Sequence, residues 1–416
     1  MDTPRASDLC RFVPPYLLAR VAPGSLVVDS THRGRRTALQ LEGRSVVRVG
    51  GPAWTVHTAA HDTTLPGAAV RSAGDPASGD VAVDEAADGI TGALALFAEV
   101  YGRASYDGRG APVTLSVHYG QDYDNAFWNG IQLVFGDGDG RVFERFTTPV
   151  DVLGHELTHA VTEHTAGLRY RDQPGALNES VSDVFAACLK QRLLGQSPGE
   201  ADWLIGAGIF APGVQARALR DMAAPGTAYD DPTLGRDPQV AHLDDYVDTE
   251  DDNGGVHLNS GIPNRAFQLA ATALGGTSWE GAGRIWYAAL TGGAVSADTG
   301  FAEFAAATVG VAGEHADAVR QAWETVGVEV GRRVSVRRTG GFAGLRAGAD
   351  LDLEGDDPRV PEVAALVDRV DLHAVPGGEP QPDRYVYDLD LCGARARVAE
   401  QHLTDDLRRL VDLVLE

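Results

Sequence analysis

The residues in this chain whose types and spacing could perform chemistry are His155, Glu156 and His159, in the stretch His-Glu-Leu-Thr-His. On an α-helix, positions i and i+4 share a face, so the two histidines can offer ring nitrogens to one metal ion. Glu156 lies beside the first histidine and can act as a base next to the metal without binding it. The pattern also arises by chance on polar helix faces, so its surroundings decide between a metal centre and a coincidence.

The third ligand of such a centre is predicted to be Glu179. A catalytic zinc keeps three protein ligands and leaves a fourth position for water. Glu179 follows His159 by twenty residues, which lets the first helix end, the chain turn and a second helix return antiparallel. Asp183 lies one helical turn further, where its carboxylate can accept the free ring N–H of a zinc-binding histidine. The alternative is a solvated helix face, but apolar Leu177 and Val181 flank the two acids.

Such a centre hydrolyses amides. Zinc polarises the carbonyl and activates a water, while Glu156 moves the proton from the water to the departing amine. The oxyanion that develops needs hydrogen-bond donors. Arg220 is one candidate, and His257 is another, with Asp252 five residues before it as an orienting carboxylate. A lone histidine is more often structural than catalytic, so the spacing alone leaves the role of His257 open.

Two helices must position these groups, and apolar periodicity predicts them from about Asp151 to Thr165 and from about Gly175 to Leu194. Residues 52–150 before them are predicted to be mainly strands, with one helix over Asp80–Tyr101. Further helices are predicted up to about residue 330. Residues 331–416 alternate between strand and helix patterns, which predicts a small separate α+β domain.

The composition limits the function. The chain has 416 residues and a net charge of −24, which disfavours nucleic acid and anionic membranes as partners. No apolar run approaches the length of a membrane span. The N-terminus lacks a positive start followed by an apolar segment, so a classical signal peptide is not expected. Cys10, Cys188 and Cys392 are odd in number and far apart, so no disulfide framework is predicted.

The motifs together resemble the thermolysin family of zinc metallopeptidases, most closely its protealysin-like branch. The resemblance runs in family order over about residues 52–330 and covers Asn125–Gly130, Gly136–Gly140, Asp151–Thr162, Gly175–Asp183 and Asp252–Gly261. It implies an α+β fold with two lobes, a β-rich N-terminal lobe over 52–150 and a mainly helical lobe over 151–330. The zinc cleft lies between the two lobes in this family.

The resemblance also implies roles for individual residues. It makes His155, His159 and Glu179 the zinc ligands and Glu156 the base, with Tyr170 and His257 donating to the oxyanion and Asp252 orienting His257. Arg220 would hold the substrate carbonyl after the scissile bond, and Asn125 and Ala126 would pair with the substrate backbone. The pocket for the residue after the scissile bond would be apolar, which predicts a preference for bulky hydrophobic residues; its lining would be Phe143, Val152, Ile205, Ile209 and Leu219.

The sequence departs from the thermolysin pattern at the paired calcium site. Where that family supplies acids, this chain has Lys190, Leu204, Ala207 and Gly208. A lysine and apolar residues cannot coordinate a hard cation that requires oxygen ligands. Asp151 and Asp202 remain but cannot form the site alone, so weak or no calcium dependence is expected.

Both ends of the chain resemble regulators of this branch. Pro14-Pro15-Tyr16-Leu17 in segment 1–51 resembles its short propeptide, which implies a proenzyme processed near residues 45–55. Cys10 could block zinc as a thiolate, although a packing role is commoner. Segment 331–416 resembles emfourin, an inhibitor of protealysin-like peptidases, in the turn Gly340–Gly344, the strand Tyr385–Leu391 and the terminal helix. It would cover its own cleft or that of a neighbour; the alternative is an accessory or substrate-binding module.

The interpretation is therefore a zinc-dependent neutral endopeptidase, made as a proenzyme, that cleaves peptides or proteins before bulky hydrophobic residues. The alternative is a catalytically silent, metal-stabilised binding or inhibitor-type protein that acts through its C-terminal domain. The family resemblance implies secretion; a cytoplasmic proenzyme or non-classical export are the alternatives.

Overall fold

Two large hydrophobic cores organise the chain. The computed structural model describes residues 11–26, 53–340, 346–353, 355–370, 372, 375, 384–392 and 394–416. The larger core extends from Phe12 to Val330 and the smaller from Val334 to Val414, so the C-terminal region folds around a core of its own. Cys10 and residues 341–344 of the predicted turn lie outside the described residues.

The N-terminal lobe is built on a five-stranded sheet. Its strands are β1 (Trp54–Thr58), β2 (Ala68–Ser72), β3 (Val113–Val117), β4 (Ala126–Trp128) and β5 (Leu133–Phe135). The order is β2-β1-β3-β5-β4, with β1, β3 and β5 parallel and the two outer strands antiparallel to their neighbours. Parallel strands end at the same edge of a sheet, so the residues that follow β1, β3 and β5 are brought together.

One short and one long helix belong to this half of the molecule. The short α1 (Pro15–Val21) begins with a proline at its first position, where the missing N–H costs nothing. The long α2 (Val81–Tyr101) lies against the sheet. Its predicted start at Asp80 is one residue early, because the Asp80 side chain caps the helix by accepting from the N–H groups of Ala82 and Val83.

The two predicted metal-site helices are confirmed as α3 (Val150–Glu163) and α4 (Asp172–Leu194). They pack closely along most of their length. A Cβ added to Gly154 would lie 3.1 Å from Cα of Ala186, so a glycine at this position allows the two backbones to approach. Nearly every residue of α3 is buried, including its polar ones, which places its histidines inside the protein.

The rest of the helical lobe surrounds this pair. Its helices are α5 (Asp252–Asn259), α6 (Gly261–Leu274), α7 (Ala282–Thr291), α8 (Phe301–Val311) and α9 (Ala316–Thr325). The acidic stretch before α5 contains two short ladders, formed by β6 (Leu204–Ile205) with β7 (Arg220–Asp221) and by β8 (Asp230–Asp231) with β9 (Gly235–Arg236). Among the described residues, no helix combines the length and apolarity needed to cross a membrane.

The C-terminal domain is an antiparallel sheet covered by two helices. Its strands are β10 (Arg333–Gly340), β11 (Ala347–Asp352), β12 (Tyr385–Leu391) and β13 (Ala394–Ala399), in the order β11-β10-β12-β13. Helices α10 (Val360–Val367) and α11 (Asp405–Leu415) pack together, and α11 also packs on β10 and β11. Strand β13 contacts α8 of the helical lobe. The predicted α+β class with a β-rich and a helical lobe is confirmed.

Candidate active site

Three buried side chains from α3 and α4 converge on one point. The Nε2 atoms of His155 and His159 lie 2.9 Å apart. The Glu179 carboxylate lies 3.4 Å from Nε2 of His155 and 3.5 Å from Nε2 of His159. All three side chains are almost inaccessible to solvent. The sequence-predicted ligand set is therefore brought together in space.

The protonation of these histidines shows that the group fits a cation. Nδ1 of His155 lies 2.8 Å from Oδ1 of Asp183, and Nδ1 of His159 lies 2.9 Å from Oδ1 of Asn178. Both partners are acceptors, so the Nδ1 atoms carry the hydrogens and the Nε2 atoms direct lone pairs at each other. Oε2 of Glu179 is buried and accepts no hydrogen bond from the described residues. One zinc ion would satisfy all of these atoms.

Asp183 connects the histidine to the substrate-binding side of the cleft. It accepts from Nε and Nη2 of Arg220, both at 2.7 Å, and from Nδ2 of Asn264 at 2.8 Å. Burial raises the pKa of Asp183, but Arg220 and His155 outweigh burial and lower it to about 2. The acid is therefore ionised at any working pH. The sequence predicted that Asp183 would orient a zinc-binding histidine, and it missed the contributions of Asn178 and Asn264.

Glu156 is held with one oxygen free. Its Oε2 accepts the backbone N–H of Trp128 at 2.8 Å, while Oε1 is buried and has no hydrogen-bond partner among the described residues. Burial raises the pKa of Glu156 to about 8, against the opposing effect of His155. A fixed carboxylate with a free oxygen beside the ligand cluster has the geometry of a general base. The Trp128 contact ties α3 to strand β4 and was not predicted.

His257, Asp252 and Tyr170 form the opposite wall. Oδ1 of Asp252 lies 2.7 Å from Nδ1 of His257, and Oδ2 accepts the His257 backbone N–H at 3.0 Å. Between Asp252 and His257 the chain turns through three left-handed residues, with φ of 54° at Asn253, 85° at Gly254 and 71° at Gly255. This turn explains the double glycine in the sequence, because left-handed backbone favours residues without a Cβ.

The same wall carries a positive charge. Burial lowers the pKa of His257, but Asp252 and Glu179 outweigh burial and raise it to about 9. The imidazole is therefore a charged double donor at neutral pH. The Tyr170 hydroxyl lies 3.3 Å from Nε2 of His257 and donates to Glu179. The Tyr170 hydroxyl and the His257 ring thus lie together on one side of the ligand cluster.

The N-terminal segment fills the cleft that these residues form. Nε2 of His257 lies 3.0 Å from the Arg11 carbonyl oxygen, and Nη1 of Arg220 donates to the Phe12 carbonyl at 3.1 Å. The peptide bond between Arg11 and Phe12 therefore lies across the catalytic groups. The Phe12 ring packs edge-on against His155, with centroids 5.3 Å apart, and lies under the Arg220 guanidinium at 4.9 Å.

Strand β4 completes this contact. The Phe12 N–H donates to the Ala126 carbonyl at 3.2 Å, and Oδ1 of Asn125 accepts the Val13 N–H at 2.9 Å. Asn125 and Ala126 thus pair with an extended backbone, which the resemblance implied for substrate. The resemblance to the propeptide was based on Pro14–Leu17, and no contact of residues 11–13 with the cleft was predicted from the sequence. The apolar pair Phe12-Val13 before the two prolines is the signal that could have revealed one.

The residues implied for the apolar pocket are all buried. All five belong to the larger core and are at most 2% exposed: Phe143, Val152, Ile205, Ile209 and Leu219. A Cβ added to Gly206 would lie 3.2 Å from the Phe12 ring and 3.3 Å from Cβ of Leu219. Phe12 therefore lies against this part of the core. Its ring shows the size of side chain that the cleft accepts.

Lys190 lies among the acids of the expected calcium region. Its Nζ donates to Asp202 at 2.8 Å and to the Leu204 carbonyl at 2.9 Å. It is also 3.8 Å from the buried carboxylate of Asp151. The ammonium group thus neutralises the acids that remain.

Three known family models match most of the chain. Residues 45–163 match "Thermolysin metallopeptidase, catalytic domain", and residues 166–328 match "Thermolysin metallopeptidase, alpha-helical domain". Residues 336–415 match "Emfourin". The predicted emfourin resemblance of the C-terminal domain is confirmed by this match.

Known relatives cover the peptidase part. The chain is 48% identical over 342 residues to an "Extracellular metalloprotease" of Pectobacterium carotovorum subsp. carotovorum, an alignment that covers 78% of this chain and 98% of that protein. It is 47% identical to "Protease PrtS" of Photorhabdus sp. (strain Az29), over 66% of this chain and 76% of the relative. The solved structure of the precursor of protealysin, a metalloproteinase from Serratia proteamaculans, is 49% identical with a TM-score of 0.69, covering 77% of this chain and 99% of that one.

These relatives are proteases or a protease precursor, which supports the peptidase interpretation over the silent binding protein. Two family models and a relative covered almost from end to end agree with the site geometry. The chain therefore belongs to the thermolysin family of metallopeptidases.

Proposed function

We propose that this metalloendopeptidase binds zinc through His155, His159 and Glu179 and cleaves peptide bonds before bulky hydrophobic residues. The observation that carries the proposal is the convergence of two Nε2 lone pairs and a buried carboxylate beside Glu156. When bound, zinc polarises the scissile carbonyl and makes water nucleophilic at neutral pH. The remaining work falls to side chains of this chain.

Each of these side chains has a separate task in the proposed reaction. Glu156 removes a proton from the attacking water through its free Oε1 and delivers it to the amine as the C–N bond breaks. His257 and Tyr170 donate to the carbonyl oxygen as it gains negative charge. Arg220 holds the next carbonyl, as it holds that of Phe12. Asp183 and Asp252 position Arg220 and His257 through the contacts described above.

Bond selection in this proposal rests on how the N-terminal segment binds. The carbonyl of Arg11 faces His257, and the following side chain, Phe12, enters the apolar region beside Leu219. A substrate bound with the same backbone contacts would be cut before a residue that fills the place of Phe12. Removing bulk from that substrate position should therefore reduce kcat/KM.

The sequence-based division of the chain fits a regulated enzyme. We propose a propeptide over 1–51, a β-rich lobe over 52–150, a helical lobe over 151–330 and an emfourin-like domain over 331–416. Arg11, Phe12 and Val13 close the precursor by occupying the cleft. The C-terminal domain inhibits the enzyme after the propeptide has left. Secretion is proposed because the relatives include an extracellular metalloprotease.

The base is tested by Glu156→Ala. Loss of a positioned general base should reduce kcat/KM by at least about 10²–10⁴-fold, because among the described residues no other carboxylate has an equivalent position. Zinc content by mass spectrometry should equal that of the wild type, since Glu156 is not a ligand. Glu314→Ala, at an exposed acid, is the matched control. Equal peptide cleavage by Glu156→Ala and the wild type would contradict the mechanism.

Calcium independence is tested by a chelator that spares zinc. We propose that the ammonium of Lys190 takes the place of a cation between Asp151 and Asp202. Removing calcium should leave the melting temperature unchanged. Lys190→Met should lower it, because the buried Asp151 would lose its positive neighbour. A large loss of thermal stability on calcium removal alone would refute this replacement.

A further inference from the structure

A second group of metal-binding side chains lies in the β-rich lobe and shares no residue with the catalytic cluster. His61, His118 and Asp137 follow β1, β3 and β5, so the parallel sheet brings them to one edge. Nδ1 of His118 lies 2.8 Å from Oδ2 of Asp137, and Nδ1 of His61 lies 3.4 Å from the same oxygen. One donor atom from each side chain falls within 4.8 Å of the other two.

Two of the three separations, those from each histidine to Asp137, are close to the separations of the catalytic ligands. In the catalytic cluster the donor atoms are 2.9, 3.4 and 3.5 Å apart. Ligands about 2.0–2.1 Å from a tetrahedral zinc lie roughly 3.3 Å from each other. The pair at 3.4 Å already has this spacing, and the pair at 2.8 Å must open by only about half an ångström.

His118 is oriented from behind by a carboxylate. Its Nε2 lies 3.0 Å from Oδ2 of Asp80. Asp80 is itself fixed, because it caps α2 by accepting from the N–H groups of Ala82 and Val83. A carboxylate that holds the outer nitrogen of a histidine leaves the inner nitrogen for a metal. The pair Asp80–His118 thus repeats the arrangement of Asp183 and His155 in the catalytic cluster.

The backbone supports the same convergence. His61 and His118 both have left-handed φ values, 64° and 54°, which are uncommon for residues with a Cβ. The His61 N–H donates to the His118 carbonyl at 2.8 Å, which holds the two turns side by side. Strained backbone at two adjacent histidines indicates a constraint on where their rings must lie.

We propose that His61, His118 and Asp137 bind a second divalent transition-metal ion, with zinc as the physiological choice, and that Asp80 orients His118. Two imidazoles and one carboxylate are suitable ligands for zinc and for divalent first-row ions such as cobalt(II), whereas calcium requires oxygen ligands. The side chain of His61 is 54% exposed, which leaves an entry path and an open coordination position.

A bound ion would stiffen the loop behind the cleft. Asp137 follows Gly136, whose N–H donates to the Asn125 carbonyl at 3.0 Å. Asn125 is the residue that pairs with the backbone in the cleft. The ion would thus join the loop after β1 to the loop that carries this contact. The competing explanation is a charged His118 bridging Asp80 and Asp137 without any metal.

The test counts ions in the full-length protein with its catalytic zinc in place. Cobalt(II) is titrated into the wild type, His61→Ala and, as a matched control at another exposed histidine, His315→Ala. Uptake is followed by metal analysis and by the visible absorption of cobalt(II). The wild type and His315→Ala should bind one further ion. His61→Ala should bind it at least about tenfold more weakly, because one ligand is lost.

Two further measurements exclude misfolding of the variant and cobalt binding at the catalytic site as explanations. His61→Ala should have the circular dichroism and metal-free melting temperature of the wild type, since its side chain is half exposed. Zinc in excess should raise the melting temperature of the wild type more than that of His61→Ala. In His159→Ala, which disables the catalytic cluster, the second site should still fill. Equal uptake by wild type and His61→Ala, or no further ion in the wild type, would overturn the proposal.

Discussion

The two ends of the chain differ in how they meet the catalytic lobes. Residues 11–13 lie buried in the cleft and bond to Asn125, Ala126, Arg220 and His257. The C-terminal domain has its own core and contacts the helical lobe through β13 against α8. Resemblance alone suggested that either end could cover the zinc site. The structure shows the N-terminal segment in the cleft, which supports our proposal that the two ends act at different stages.

The difference follows from how each region is stabilised. The N-terminal segment buries Phe12, Leu17 and Leu18 in the core of the peptidase, so its order depends on the cleft. The C-terminal domain buries Val334, Leu407 and others in a core of its own. Between that domain and α8 lies a cavity of about 370 Å³ lined partly by charged side chains, including Glu303 and Arg333. Because the core of this domain is separate, its folding does not depend on the cleft in the way that the order of residues 11–13 does.

The largest effect is expected from Phe12→Ala. The ring is fully buried, and truncating a buried phenylalanine costs about 3–5 kcal/mol. If the closed precursor loses this much, the open fraction rises by roughly 10²-fold to 4 × 10³-fold, at about 1.4 kcal/mol per factor of ten. Initial rates of peptide hydrolysis by intact precursor, with mass spectrometry to exclude processing, measure the gain.

A conservative variant serves as the control. Phe12→Leu keeps an apolar side chain against Leu219 and His155, so the latent activity should stay within about tenfold of the wild type. An equally low rate from Phe12→Ala would mean that the cleft is closed by something other than this segment. The contrast between the two ends of the chain would then fail.

The sequence predicted the catalytic groups better than the way the cleft is closed. His155, His159 and Glu179 lie on two strongly periodic helices, so local spacing was sufficient to bring them together. The pairing of Asp183 with Arg220 spans 37 residues and depends on the β6–β7 ladder, which no local pattern reveals. The contact between Arg11 and His257 spans 246 residues and is equally invisible to periodicity.

Strands were missed for a related reason. Strand β13 reads Ala-Arg-Ala-Arg-Val-Ala, and alanine gives too weak an apolar signal for the alternation to stand out. Strand β11 reads Ala-Gly-Ala-Asp-Leu-Asp, with one large apolar residue, and it pairs with β10. Both strands depend on neighbours within the sheet. The helices of the same domain, α10 and α11, were found because leucine and valine recur on one face.

Deleting residues 331–416 is the next largest test. The unprocessed precursor should show unchanged activity, because its cleft is already filled by residues 11–13. The processed enzyme should become at least about tenfold more active at micromolar concentration, if the removed domain is an inhibitor. Adding the isolated domain should restore inhibition. The domain has its own core, so circular dichroism of the fragment checks that it folds.

Two outcomes would change this picture. Activation of the unprocessed precursor by the deletion would show that the C-terminal domain also closes the cleft at this stage. Unchanged activity of the processed enzyme, with no inhibition by the added domain, would favour the accessory or substrate-binding module. Dilution of the intact processed enzyme distinguishes inhibition within one molecule from inhibition between molecules.

The smallest expected effect concerns His257, which contacts the N-terminal segment and which we propose also contacts the substrate. Burial lowers the pKa of His257, but Asp252 and Glu179 raise it to about 9, above its value in an unfolded chain. Charged His257 and its stabilising interaction with Asp252 are therefore fully present below about pH 6.5, and both are lost as the pH rises through about 9. For the processed enzyme, kcat/KM should fall along an alkaline limb, which bound zinc moves below pH 9 because it offsets the charge of Glu179. Asp252→Asn should move the limb to lower pH by about one unit or more, because the opposing charge is lost.

The same variant also distinguishes the two ends of the chain. His257 contacts the Arg11 carbonyl, so Asp252→Asn should weaken closure by the N-terminal segment and raise the latent activity of the precursor a few-fold at neutral pH. The described contacts of His257 include none with the C-terminal domain, so deletion of 331–416 should leave the alkaline limb where it is. If deletion of 331–416 shifts the alkaline fall in kcat/KM and Asp252→Asn does not, the titrating group belongs to the C-terminal domain. His257 would then not be the charged donor.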